Sequence, residues 1–179
     1  GAVFEVEHRV LKRRFVIKIL RESNRPDLED RLRLEAQALA QLSHPNLLQV
    51  VDLTHTASGR PFIVSERLRG STLKEAIGAT GTLPVPDAIR YVCQALSGLA
   101  AAHAVGIVHR DIKLDNLFLC SATEHLPAHV KVIDFGIAKL VASLTPVDVS
   151  PLENPTAEGL MVGTPSFMSP EQEIGRAHV

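Results

Sequence analysis

The 179-residue chain has no excess of either charge: 19 Lys and Arg stand against 20 Asp and Glu, a formal net charge of -1. That balance offers no bulk attraction to nucleic acid or to an anionic membrane. Cysteine is scarce. Cys93 and Cys120 form neither a CxxC pair nor a metal-type cluster, which excludes a disulfide scaffold and leads us to expect two free, buried thiols in a reducing, cytoplasmic setting. Long apolar runs are missing too. The most apolar stretch, Ala95 to Val108, is broken by Ser97 and His103 and falls short of the roughly 20 apolar residues a membrane span needs. Internal repeats and low-complexity tracts are absent. The opening residues are not of signal-peptide type, and the first residue is Gly rather than Met, which points to a piece of a longer chain. The hydrophobic share of 45% and the charged share of 22% are those of an ordinary globular protein with room for one domain.

The first 66 residues read as a small sheet with one helix. Val3, Phe4 and Val6 among polar neighbours predict a strand, and Arg14 to Leu20 predicts a second. Leu28, Leu32, Leu39 and Leu42 then recur at helical spacing, with Asp27 able to cap the start and Pro45 just beyond the end. Leu47 to Leu53 and Pro61 to Glu66 read as two more strands around a turn at Ala57-Ser58-Gly59. Further on, Thr72-x-x-Glu75 signals a capped short helix. Pro84 and Pro86 precede a long helix with Ile89, Val92, Cys93, Leu96, Leu99, Ala100 and His103 on its apolar side. Leu117 to Cys120 and Val130 to Ile133 read as short strands, and Ala142 to Gly159 as a polar surface segment.

Chemistry concentrates in three places. His109-Arg110-Asp111-Ile112-Lys113-Leu114-Asp115-Asn116 is followed, after a strand, by Asp134-Phe135-Gly136. Upstream, Phe15-Val16-Ile17-Lys18 lies on the second predicted strand, and Glu35 sits 17 residues after Lys18 amid Leu32, Ala36 and Leu39. Downstream, Gly163-Thr164-Pro165-Ser166-Phe167-Met168-Ser169-Pro170-Glu171 closes the polar segment. In this order and spacing the motifs resemble the catalytic loop, metal-binding triplet, strand lysine and activation-segment end of protein kinases. The wording of the last resembles the bacterial Ser/Thr kinases. Gly1-Ala2-Val3 matches only the end of the family's glycine-rich loop.

The resemblance implies an α+β, two-lobe protein-kinase-like fold: a small β-sheet lobe with one main helix, and an incomplete, mainly helical large lobe. Residues 1–68 would be the small lobe and hinge with the first strand missing, and 69–172 a partial large lobe through the activation segment. Residues 173–179, which fit no pattern of the family, would be a non-native tail, and the fragment by itself would be inactive. The implied activity is ATP-dependent phosphorylation of Ser/Thr hydroxyls on proteins, with ATP and Mg²⁺ as cofactors, a protein substrate as partner, no nucleic acid and no membrane segment. A pseudokinase-like nucleotide-binding or scaffold module and a small-molecule phosphotransferase are the alternatives. Phosphoryl transfer calls for a carboxylate near the acceptor hydroxyl, oxygen ligands for Mg²⁺ and cations on the phosphates.

By resemblance, Asp111 is the catalytic base, Lys113 neutralises the transferred phosphate, and Asn116 and Asp134 are Mg²⁺ ligands. Lys18 pairs with the α/β-phosphates and is held by Glu35. Gly1, Val3 and Val16 enclose the nucleotide, with Val16 bulkier than the Ala usual there. Ser65 takes the gatekeeper place, and backbone groups of Glu66 and Leu68 meet the adenine edge. Arg110, next to Asp111, implies switching by activation-loop phosphorylation, with Thr156 favoured over Ser150. His109 is expected to pack and hydrogen-bond, and the histidines lack zinc-site spacing.

Overall fold

The computed structural model describes residues 2–19 and 37–135. The expectations placed on Gly1, Glu35, Ser150, Thr156, Gly163 to Glu171 and the tail at 173–179 lie outside the described residues, as does most of the first predicted helix, whose described part is helical over 37–41.

Strands rich in Val, Ile and Phe favour a half-buried pleated surface, and four of them form one antiparallel sheet. They are β1 (Ala2–Glu7), β2 (Arg14–Ile19), β3 (Val50–His55) and β4 (Pro61–Glu66), in the order β1-β2-β4-β3. Gly59, with φ of 85°, makes the β3–β4 turn. The third strand starts later than predicted. Leu47 pairs instead with Val132 of the second sheet, Leu48 N–H donates to the Val132 carbonyl at 3.0 Å, and Val132 N–H donates to Asn46 O at 2.8 Å. The segment before β3 therefore stitches the two sheets together.

That second sheet comprises β5 (Gly70–Thr72), β6 (Leu117–Cys120) and β7 (His129–Val132). Three residues are too few to show a period, so β5 is not visible in the sequence pattern. Its Gly70, at φ 142°, lies so close to the Leu119 carbonyl that a Cβ would sit 2.0 Å from the oxygen. The capped helix forms as read: α1 (Leu73–Thr80) carries a complete capping box between Thr72 and Glu75. The long helix α2 (Val85–Ala104) starts at Pro84 and Pro86, positions that lose no intrahelical hydrogen bond.

Except at Leu99, which packs against the core, the face of α2 differs from the prediction. Its buried residues are Tyr91, Ala95, Gly98 and Ala102, while Ile89, Val92 and Leu96 are 60%, 54% and 58% exposed. At Gly98 a small residue is required, because the Asn46 backbone and the Leu47 side chain pack directly onto it. Cys93, expected to be buried, lies on the outward face and is exposed, whereas Cys120 is buried as expected. One apolar cluster runs from Leu39, Val50 and Ile63 through Leu47, Val130 and Val132 to Tyr91, Ala95 and Phe135. Among the described residues no helix is long and apolar enough to cross a membrane.

Candidate active site

Opposed residues of antiparallel strands share a face, as do residues two apart on one strand. The register therefore places Val3, Lys18 and Ile63 in one row and Glu5, Val16 and Ser65 in the next, all on one side of the first sheet. Five of these six line a cavity of about 320 Å³. Glu66 and Leu68 form one edge of it, Leu48 and Val50 the back, and Phe118, Ile133, Asp134 and Phe135 the floor. The walls are largely apolar, with Lys18, Glu66 and Asp134 as the charged exceptions. Lys18 crosses the cavity, its Nζ donating to Asp134 Oδ1 at 2.7 Å.

The loop from His109 to Asn116 is built on buried polar contacts. His109 is 1% exposed. Its Nε2 bonds the Ile133 carbonyl at 2.9 Å, and Nδ1 accepts from Asp111 N–H at 3.3 Å, the pattern of one neutral tautomer. Its ring packs 4.8 Å from that of Phe135. A 3-10 turn over Leu114–Asn116 folds the chain back, so that Asn116 Nδ2 donates to the Asp111 carbonyl at 2.8 Å and to Asp111 Oδ2 at 3.1 Å. The Asn116 carbonyl accepts from Ile133 N–H at 2.9 Å. Lys113 Nζ stands 3.4 Å from Asp111 Oδ2. Arg110 and Asp134 have φ of 62° and 55°, a left-handed conformation that costs non-glycine residues on the order of 1–3 kcal/mol and concentrates at working sites. Asn116 thus holds Asp111 with its side chain and Ile133 with its backbone, and Ile133 joins this cluster to Asp134.

The residues named from sequence fall into two linked groups. Val3, Val16, Lys18, Ser65, Glu66, Leu68 and Asp134 line the cavity, and Asp111, Lys113 and Asn116 cluster beside it. Arg110 is exposed on the loop. The donor set is compatible with a hard cation. Asp134 supplies a carboxylate, and with Asn116 Nδ2 committed to Asp111, the amide oxygen is the atom left to offer, oxygen being what Mg²⁺ prefers.

Several contacts escaped the sequence reading. Lys131 Nζ meets Glu66 Oε1 at 2.6 Å and the Leu47 carbonyl at 3.2 Å, and the same Glu66 oxygen accepts from Gln49 N–H at 2.9 Å. On the opposite side Glu5 Oε2 meets Arg67 Nε at 2.8 Å, and its Oε1 meets Arg14 at 2.9 Å. The hydrogen bond from Arg67 holds the Glu5 carboxyl below its ordinary pKa. Lys74, on α1, pairs with Asp115 of the loop at 2.7 Å and holds that carboxyl down in the same way. These partners lie far apart in sequence and leave no local pattern. Phe118 and Val50 lie on predicted strands, but which side of each strand meets the cavity is not legible in the sequence.

Comparison with known proteins gives consistent neighbours. A sequence model of the protein kinase domain matches residues 1–177. The serine/threonine-protein kinase Pkn1 of Myxococcus xanthus is 38% identical over 98% of this chain and 24% of its own length. PknB of Mycobacterium leprae is 37% identical over 92% of this chain and 25% of its own length. PknA of Mycobacterium tuberculosis is 34% identical over 98% and 39%. The chain thus spans between about a quarter and two fifths of these relatives. The crystal structure of the Mycobacterium tuberculosis PknI kinase domain superimposes with a TM-score of 0.67 at 26% identity, over 77% of this chain and 55% of that one.

Proposed function

The chain belongs to the protein kinase domain family, and we propose that it carries the nucleotide site and catalytic loop of a bacterial-type enzyme that transfers the γ-phosphoryl group of ATP to Ser/Thr hydroxyls of proteins. The observation that carries this reading is the joining of two sites through one residue. Ile133 receives His109 on its carbonyl and gives its N–H to Asn116, and its neighbour Asp134 binds Lys18 across the cavity. A nucleotide lying against Val16 and Ser65 would then bring its phosphates toward Lys18, with the acceptor hydroxyl near Asp111.

In this reading the acceptor oxygen attacks the γ-phosphorus, its proton passes to the Asp111 carboxylate, and the bond to the β-phosphate oxygen breaks to release ADP. Lys113 offsets charge on the transferred group, and Lys18, steadied by Glu35, orients the α- and β-phosphates. Asn116 and Asp134 would hold Mg²⁺, which supplies charge neutralisation at the phosphates when bound. Backbone groups of Glu66 and Leu68 take the adenine edge, while Val3 and Gly1 cover the nucleotide. Arg110 would receive a phosphate placed on Thr156 or Ser150. The near-neutral charge favours a protein rather than a nucleic acid partner, and we place the enzyme in the cytoplasm.

The test is Asp111→Asn in the full-length protein. Turnover should fall by about 10²–10⁴-fold, the usual share of a positioned base, while ATP affinity stays within about twofold, since the lost interaction belongs to the transition state. Parental turnover in the variant, or no ATP-dependent phosphorylation in the parent, would overturn the proposal.

A further inference from the structure

We infer that Arg67, acting through Glu5, is a positioning residue for the nucleotide: the pair ties the roof strand β1 to the hinge segment and sets how firmly the cavity closes. This rests on the nucleotide reading of the cavity given above. Of the six residues in the two cavity-facing rows, Glu5 is the one that does not line the space. It stands two residues from Val3 in the roof, and opposite Val16. Its partner Arg67 lies between Glu66 and Leu68, which both line the edge. The bond of 2.8 Å from Arg67 Nε to Glu5 Oε2 therefore joins roof and edge directly, outside the ladder that runs through β2 and β4.

Among the described residues the one ladder that carries β1 toward the hinge runs through β2, so the direct tie adds a second path between them. The contact is well aimed, because Arg14 takes the other Glu5 oxygen at 2.9 Å and so orients the carboxylate. The hinge is anchored from the other direction by Glu66, which binds Lys131 of β7. Consecutive hinge residues of opposite charge thus reach opposite ways, Glu66 to the second sheet and Arg67 to the roof.

Truncating Arg67 leaves neither end adrift. Glu5 keeps Arg14, and the hinge keeps Lys131, so no charge is stranded and the fold should hold. What is lost is the closure. Arg67 and Glu5 are 30% and 43% exposed, so the effect is modest and sensitive to salt. In the full-length protein, titration with a non-hydrolysable ATP analogue should show Arg67→Ala binding about two- to fivefold more weakly than the parent, the range of an exposed but oriented ion pair. The loss should sit in faster dissociation, with an unchanged thermal midpoint. Arg67→Lys should stay near the parent, and the gap between Arg67→Ala and the parent should close near 1 M salt, where the screening length is about 3 Å. Equal binding by Arg67→Ala, equal weakness of Arg67→Lys, or a gap that persists at high salt each overturns the inference while leaving the nucleotide site standing. Failure of the parent to bind the analogue overturns the nucleotide reading and this inference with it.

Discussion

Replacing Gly98 by alanine sets two opposed effects against each other, and the structure decides the sign. Gly98 lies inside α2. Helix propensity alone favours alanine there by about 1 kcal/mol. The added Cβ, however, would stand 2.7 Å from the Asn46 carbonyl oxygen and 2.9 Å from Leu47 Cδ2. The leucine methyl can swing away, but the carbonyl cannot move freely. It accepts the Val132 N–H at 2.8 Å, while the Asn46 side chain donates to Val130 O at 2.8 Å. Relieving the clash means loosening the joint between the two sheets, and overpacking of this kind costs about 1–3 kcal/mol. Because the clash is with hydrogen-bonded backbone, the upper part of that range, about 2–3 kcal/mol, applies, and the net expectation is a loss of about 1–2 kcal/mol, or several degrees in thermal midpoint for a domain of this size. Gly78, in α1, is the matched control, since a Cβ there meets nothing within 4 Å. Gly78→Ala should gain about 0.5–1 kcal/mol. Thermal denaturation of both variants beside the parent separates the two effects. Nucleotide affinity should fall with Gly98→Ala as well, because the same segment brings Leu48 and Val50 to the cavity wall. A Gly98→Ala protein as stable as the parent would refute the reasoning.

Ser65 is 7% exposed and faces the cavity, so Ser65→Phe should exclude bulky adenine-site inhibitors by steric clash; equal inhibition of both forms would show that the space behind Ser65 is not used. Lys18→Met should impair phosphate positioning and Glu35→Gln should do so less, with the double variant little worse than Lys18→Met alone; fully additive kinetic losses would count against a working pair. The Glu75 carboxyl is held below its ordinary value of 4.5 by the Thr72 N–H and hydroxyl. A lowered carboxylate pKa contributes stability that is complete above the unfolded value and vanishes as pH falls through the folded one. Glu75→Ala should therefore be less stable than the parent at neutral pH and equal to it in strong acid, a convergence that denaturation across pH would reveal or deny. Thr72→Ala, removing the same cap from the other end, should cost about 1 kcal/mol.

How much was legible follows from the range over which each feature is encoded. The capping box at Thr72 and Glu75 spans three residues and forms as read. The motif from His109 to Asn116 is equally local: the spacing from Asp111 to Asn116 is what a 3-10 turn needs to return the amide to the carboxylate. Strands β1, β2 and β4 are legible because each is a short run carrying Val, Ile or Phe. The face of α2 was not legible, because the helix has two apolar stripes and the larger side chains are on the exposed one. Nothing local says that Asn46 will press its backbone against Gly98. Glu66 and Arg67 carry the same lesson for charge. They sit together in sequence, which says nothing of their separate partners. Their actual partners, Lys131 and Glu5, are set by strand pairing, one on each side of the cavity. A charge beside an apolar strand is therefore informative only once the register is known: the same two rows that place Lys18 over Asp134 leave Glu5 one position further along, at the rim, where Arg67 can reach it.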